Sequence, residues 1–134
     1  MDYYRKLKVL LFCLTVLFCS CYSRPVFRAG GRYYQVGIAS YYADEFHSRK
    51  TSSGESFDMF DLTAAHNTLP LGTIVRVYNF ENGKSVVVRI NDRGPFKKGR
   101  IIDLSLGAAQ KLGMEKTGTA RVGIEILKPG NNKK

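Results

Sequence analysis

Three polar segments interrupt the apolar and β-branched runs of this chain and hold side chains that packing does not require. They are Thr51-Ser-Ser-Gly-Glu55-Ser-Phe-Asp58, Leu62-Thr-Ala-Ala-His66-Asn-Thr-Leu-Pro-Leu-Gly72 and Val88-Arg-Ile-Asn91-Asp92-Arg93-Gly94-Pro95-Phe96. Among their polar side chains, the carboxylates Glu55 and Asp92 and the histidine His66 are of the kinds used in general acid–base chemistry. Such a set is able to break a glycosidic bond. A carboxylic acid protonates the leaving oxygen, and negative charge steadies the oxocarbenium-like centre. Each residue also has a plainer reading. Asp92-Arg93-Gly94-Pro95 alone is a turn in which the aspartate bonds backbone. Glu55 alone is a solvated loop residue, and His66 alone a satisfied structural histidine. A cationic Arg93 facing Asp92 would lower its pKa, the wrong direction for an acid, unless strand alternation turns the arginine away.

The elements that must position these residues are mostly strands. Runs 36–42, 73–79, 85–91, 100–104 and 119–127 are β-branched or alternating, and 62–66 adds a short sixth. Asn82-Gly83 between the second and third of these runs signals a hairpin. One helix is expected after Ser105 as cap, with Leu106, Ala109 and Leu112 on one face and Gly113 closing it. Six short strands and one or two short helices make the fold mainly β, and point to a small closed barrel without exposed edges.

The chain has 134 residues, 44% hydrophobic and 24% charged, which suits one globular domain. Arg5, Lys6 and Lys8 precede an apolar run, 9–18, and the small-residue stretch Cys19-Ser20-Cys21, the pattern of an export leader. The run is too short to cross a bilayer comfortably. Cys13, Cys19 and Cys21 all lie there, so the remainder holds no thiol to act as nucleophile or metal ligand. With only His47 and His66 besides, neither a metal site nor a cofactor is expected. Residues 17–21 resemble the lipobox of bacterial lipoproteins, which implies lipidation of Cys21. The expected organisation is a leader at 1–20, a lipidated cysteine and tether at 21–35, the barrel at 36–127 and a flexible tail at 128–134. The net charge of +10 favours anionic partners. No nucleic-acid motif stands out, and export would take the domain away from nucleic acid.

Asn91-Asp-Arg-Gly-Pro-Phe96, with Gly99-Arg-Ile-Ile-Asp-Leu-Ser105, resembles the core signature of the rare lipoprotein A family. Thr63-Ala-Ala-His66 with Leu69-Pro70, and Ala39-Ser-Tyr-Tyr42, match the same family, so the likeness covers about 36–127. It implies a six-stranded double-psi β-barrel, shared with the first domain of expansins. It also implies a lytic transglycosylase that cuts peptidoglycan glycan strands, preferably stripped of stem peptides, and leaves 1,6-anhydromuramic ends. Carried over by motif, Asp92, Glu55 and His66 are the catalytic candidates. Asp92 is the expected acid and base, Glu55 the stabiliser of the cationic sugar or a positioner of substrate, and His66 the hydrogen-bonding support of a carboxylate. Tyr41, Tyr42, Asn91 and Arg93 are the expected substrate contacts, although the two tyrosines also suit the filling of a barrel mouth. Asp103 is expected to be structural, capping the helix or bonding loop amides. Many members carry a C-terminal glycan-binding repeat, which the sequence to Lys134 lacks, so division-site targeting is not expected to carry over.

The implied partners are peptidoglycan glycan strands and a membrane reached through the lipid anchor, the outer membrane on its periplasmic face, with no nucleic acid and a monomeric chain. The rival reading is a non-catalytic, expansin-like wall-binding module. Whether cleavage is lytic or hydrolytic stays open at this level, because it depends on geometry at the cut sugar.

Overall fold

The computed structural model describes residues 31–42 and 46–131. The leader, Cys21 and most of the expected tether lie outside the described residues. Six strands, β1 (Gln35–Tyr41), β2 (Thr63–Ala65), β3 (Ile74–Asn79), β4 (Ser85–Asp92), β5 (Arg100–Leu104) and β6 (Ala120–Lys128), close into a barrel in the order β1-β5-β2-β4-β3-β6. One helix, α1 (Leu106–Leu112), lies between β5 and β6. The expected strands, hairpin and helix are all present.

Alternation decides which way each strand faces. In β3 every second residue is buried, and in β4 Val86, Val88 and Ile90 point inward. Ile102, Leu104, Leu112 and Ile124 complete a single core. Tyr34 N–H donates to the Ile124 carbonyl, so the last residues of the expected tether are tied to the barrel. Gly130 N–H likewise donates to Thr73 Oγ1 at 3.0 Å, which ties down the start of the expected tail.

The pairs β1–β5 and β2–β4 are parallel, and the other interfaces are antiparallel. The register sets Ser40 opposite Asp103, Asp103 opposite Ala65, and Ala65 opposite Asp92. One row across the barrel wall thus carries two carboxylates on either side of a single small alanine. Residues paired in register share a face.

The helix fixes this end of the barrel. Ser105 Oγ accepts from Ala108 N–H and donates to the Asp61 carbonyl. Gly113, at φ 70°, closes the helix in the left-handed conformation that glycine accepts without penalty. Asn79 and Asn82 of the β3–β4 turn donate to the Leu112 carbonyl, so the hairpin caps the helix C-terminus. Asp103 does not cap the helix. That expectation is corrected, because Ser105 fills the capping position while Asp103, still in β5, accepts from Ser40 Oγ.

Candidate active site

Asp92 ends β4 where strand pairing gives way to loops. Its Oδ1 accepts from Ser52 N–H at 3.0 Å, Ser52 Oγ at 2.7 Å and Arg93 N–H at 2.8 Å. Its Oδ2 accepts from the Tyr42 hydroxyl at 3.1 Å. Burial pushes the carboxyl pKa up, but these hydrogen bonds to the charged form outweigh it and hold the pKa below its ordinary value. The same arrangement drives the Tyr42 phenol far upward, through burial first and then the charges of Asp92 and Asp103. Tyr42 is therefore a permanent donor sitting close to both carboxylates.

Ser52 arrives on a small hairpin-like loop. Ser48 N–H bonds the Phe57 carbonyl, Phe57 N–H the Arg49 carbonyl, and Thr51 N–H the Glu55 carbonyl. Two contacts clamp its tip to β4. Ser53 N–H donates to the Asn91 carbonyl, and Glu55 makes a bidentate pair with Arg89 at 2.5 and 2.8 Å. The hydrogen bond from Arg89 lowers the Glu55 pKa; burial opposes it, and the Arg89 charge with hydrogen bonds from Asn91 and Ser53 adds to the lowering. Glu55 is thus an ionised clamp for the Ser52 loop, and it shares no hydrogen bond with Asp92.

His66 follows β2 and is 2% exposed. Its Nδ1 accepts from Thr68 N–H and Leu69 N–H, both at 3.1 Å, which fixes the proton on Nε2. Nε2–H then donates to Gln35 Oε1 at 2.9 Å. Burial, and secondarily the Arg93 charge, lowers its pKa, so the ring is neutral. The expectation that the ring supports a carboxylate is corrected, because both of its nitrogens are already occupied. The link to Asp92 runs through the backbone instead, where His66 N–H donates to the Asp92 carbonyl at 3.1 Å.

The other candidates divide cleanly. Arg93 turns its guanidinium away from Asp92, donating to the His66 carbonyl at 3.0 Å and the Leu69 carbonyl at 2.7 Å. It braces the 66–69 turn and is not placed for substrate. Asn91, 3% exposed, fastens the Ser52 loop rather than facing solvent. Tyr41 packs against the core and donates to the Glu115 carbonyl, the barrel-filling alternative. Tyr42 alone of the expected contacts lines the pocket that Asp92 opens to. It lines an open pocket of about 240 Å³ together with Phe46, Arg49, Lys50, Thr51, Phe57 and Asp92.

The sequence did not mark two residues that surround Asp92 and Tyr42. Ser52 carries no local signal beyond its polarity. Asp103 was assigned a structural role, yet the barrel register brings it beside Tyr42 and across Ala65 from Asp92. Ala65 between them is fully buried, with Gly94 close to it and to the Asp103 carboxyl, so of the two aspartates only Asp92 lines the pocket. Asp103 is the nearest carboxylate to Asp92 in the strand register, while Glu55 clamps the Ser52 loop from β4.

A closed six-stranded barrel with this strand order is of the double-psi class. The chain belongs to the lytic transglycolase family, whose model matches residues 34–124. It is 57% identical over 97 residues to a Pseudomonas aeruginosa protein named endolytic peptidoglycan transglycosylase RlpA, covering 72% of this chain and 28% of that one. A Neisseria meningitidis protein of the same name is 59% identical over 98 residues, covering 73% of this chain and 41% of that one. The chain thus spans less than half the length of these curated relatives. A mutant Clavibacter michiganensis expansin in complex with cellohexaose shares the fold, with a TM-score of 0.56 at 18% identity over 72% of this chain and 52% of that one. The resemblance to rare lipoprotein A read from the sequence holds.

Proposed function

We propose that this domain is a peptidoglycan lytic transglycosylase. It cuts glycan strands internally, prefers strands stripped of stem peptides, and leaves 1,6-anhydromuramic ends. The observation that carries this is Asp92 open to a pocket beside Tyr42, with Asp103 its neighbour in register beyond Ala65. Asp92 is the acid and base. A sugar ring laid over it removes its remaining water, which strengthens the desolvation already acting upward on its pKa. The carboxyl then protonates the glycosidic oxygen as the C1–O bond breaks, and the Asp103 carboxylate steadies the cationic C1. The muramic 6-hydroxyl attacks C1, and its proton returns to Asp92, so no water is consumed and the enzyme is restored. Tyr42 and Ser52 aim the carboxyl, while Glu55, His66, Asn91 and Arg93 fix the loops that carry it.

The family relatives' names support action on wall peptidoglycan outside the cytoplasm. Export through the 1–20 leader, a lipid anchor at Cys21 in the outer membrane and a monomeric state complete the proposal. Mass spectrometry of glycan strands incubated with the purified chain tests it. Anhydro-ended products are expected, and reducing ends alone would make the domain a hydrolase.

A second reading, a wall-glycan binding module without catalysis, draws on one fact. The lowered pKa of Asp92 favours an anion that holds hydroxyls over an acid that gives a proton. It requires that sacculi pull the chain down without any bond being cut.

A further inference from the structure

The pocket beside Asp92 carries more positive charge than its own carboxylate uses. Arg49 and Lys50 both line it, and Asp92 is the sole acidic residue among its lining. The four hydrogen bonds to the Asp92 carboxylate come from Ser52, Arg93 N–H and Tyr42, none from either cation. Among the described residues the ion pairs are Arg76–Glu125 and Arg89–Glu55, so neither Arg49 nor Lys50 has a carboxylate partner there. Arg49 is nonetheless oriented. Its backbone is hydrogen-bonded to Phe46 and Phe57, and its guanidinium lies over the Phe46 ring, 5.5 Å from the centroid. Phe57 meets Tyr42 edge-on at 5.0 Å, and Phe46 is tilted against Tyr42 at 5.6 Å. The result is an aromatic wall, which suits the apolar face of a sugar ring, with a fixed guanidinium and an ammonium on its rim.

We infer that Arg49, seconded by Lys50, reads the free lactyl carboxylate of a muramic acid residue bound against the Phe46–Tyr42–Phe57 wall. This rests on the glycan-cutting proposal and adds the group that selects the substrate. A muramic residue bearing a stem peptide presents a neutral amide at that position. One whose peptide has been removed presents a carboxylate, the planar anion that a guanidinium binds in two-point fashion. The cations thereby convert a covalent difference in the strand into a difference in affinity. Their charge also lies next to the reacting Asp92, so a strand that brings its own anion leaves the pocket nearer to neutral.

The test uses stripped glycan strands and the same strands with their lactyl carboxyls coupled to methylamine, which replaces the charge by a small neutral amide. The purified chain is expected to favour the free-acid strands by roughly threefold to tenfold, expressed in KM for cleavage and in Kd for binding by the Asp92→Asn chain. Arg49→Gln collapses that ratio towards one, and Arg49→Lys retains part of it. Arg121→Gln, which removes an exposed charge remote from the pocket, retains all of it. Equal handling of the two strands by the unmutated chain, or an undiminished ratio in Arg49→Gln, overturns the assignment. The comparison on the unmutated chain needs no variant to fold. Selective binding without cleavage would sink the lyase proposal and leave Arg49 standing. Cleavage of both strands at one rate would do the reverse, and no binding or cleavage of either would end both.

Discussion

Replacing His66 separates a catalytic imidazole from a scaffolding one, because its environment allows the two roles to be cut apart. His66→Ala strips the acceptor from Thr68 N–H and Leu69 N–H and leaves both amides unsatisfied in a buried turn. Each orphaned group costs about 1–3 kcal/mol, and the vacated ring adds a cavity, for about 3–5 kcal/mol in all. In a domain of this size that lowers Tm by at least about 12 °C. His66→Asn places a carboxamide oxygen close to where Nδ1 sits and keeps an acceptor for the same amides. It forfeits the Gln35 contact and some packing, about 1–2 kcal/mol. Thermal denaturation should therefore rank wild type, Asn, then Ala. Glycan cleavage by the folded Asn variant should stay within about tenfold of wild type, since the ring transfers no proton. A well-folded His66→Asn as inactive as Asp92→Asn would refute this and return His66 to the chemistry.

Acid should weaken the fold in a defined window. The folded pKa of His66 is depressed, so its contribution is complete above the ordinary value of 6.5 and declines as pH falls below it. Denaturant titrations of wild type and His66→Asn should therefore converge as pH is lowered from about 7 to about 5. Ser52→Ala removes the strongest hydrogen bond lowering the Asp92 pKa and should raise it. If Asp92 is the acid, the alkaline fall in kcat/KM then moves to higher pH, and an unmoved limb would detach Asp92 from that ionisation. Gly107→Ala puts a Cβ 2.5 Å from the Phe60 carbonyl oxygen, backbone that has no rotamer to yield. A loss of about 1–3 kcal/mol in denaturant titration is expected, and an unchanged midpoint would contradict the packing described.

How far the molecule was legible in its sequence depends on the distance over which each feature is determined. The strands follow from local alternation, as in Ile74-Val-Arg-Val-Tyr-Asn79. The hairpin follows from Asn82-Gly83, and the helix from Ser105 and Gly113 at its ends. Tyr41 and Tyr42 are adjacent and face opposite ways, a division that alternation predicts in form but cannot assign without knowing the inner face. Asp103 could not be placed, since its neighbour Ala65 and the next residue along, Asp92, are set by the order in which the barrel closes. Glu55 was marked by its motif, but its ion pair could not be read from the sequence, because its partner Arg89 lies on another strand. The motif singled out His66, but its tautomer depends on two amides in a turn whose shape the motif does not state.

Steady-state cleavage of stripped glycan by Asp92→Asn, Asp103→Asn and Glu55→Gln, each checked for an intact fold, tests the proposed reacting pair most directly. Loss of the first or second carboxylate should lower kcat by about 100-fold or more, while Glu55→Gln, which only slackens the Ser52 loop, should stay within about tenfold. Near-normal turnover by Asp103→Asn, together with a dead Glu55→Gln, would move the second carboxylate back to Glu55 and contradict the pairing across Ala65.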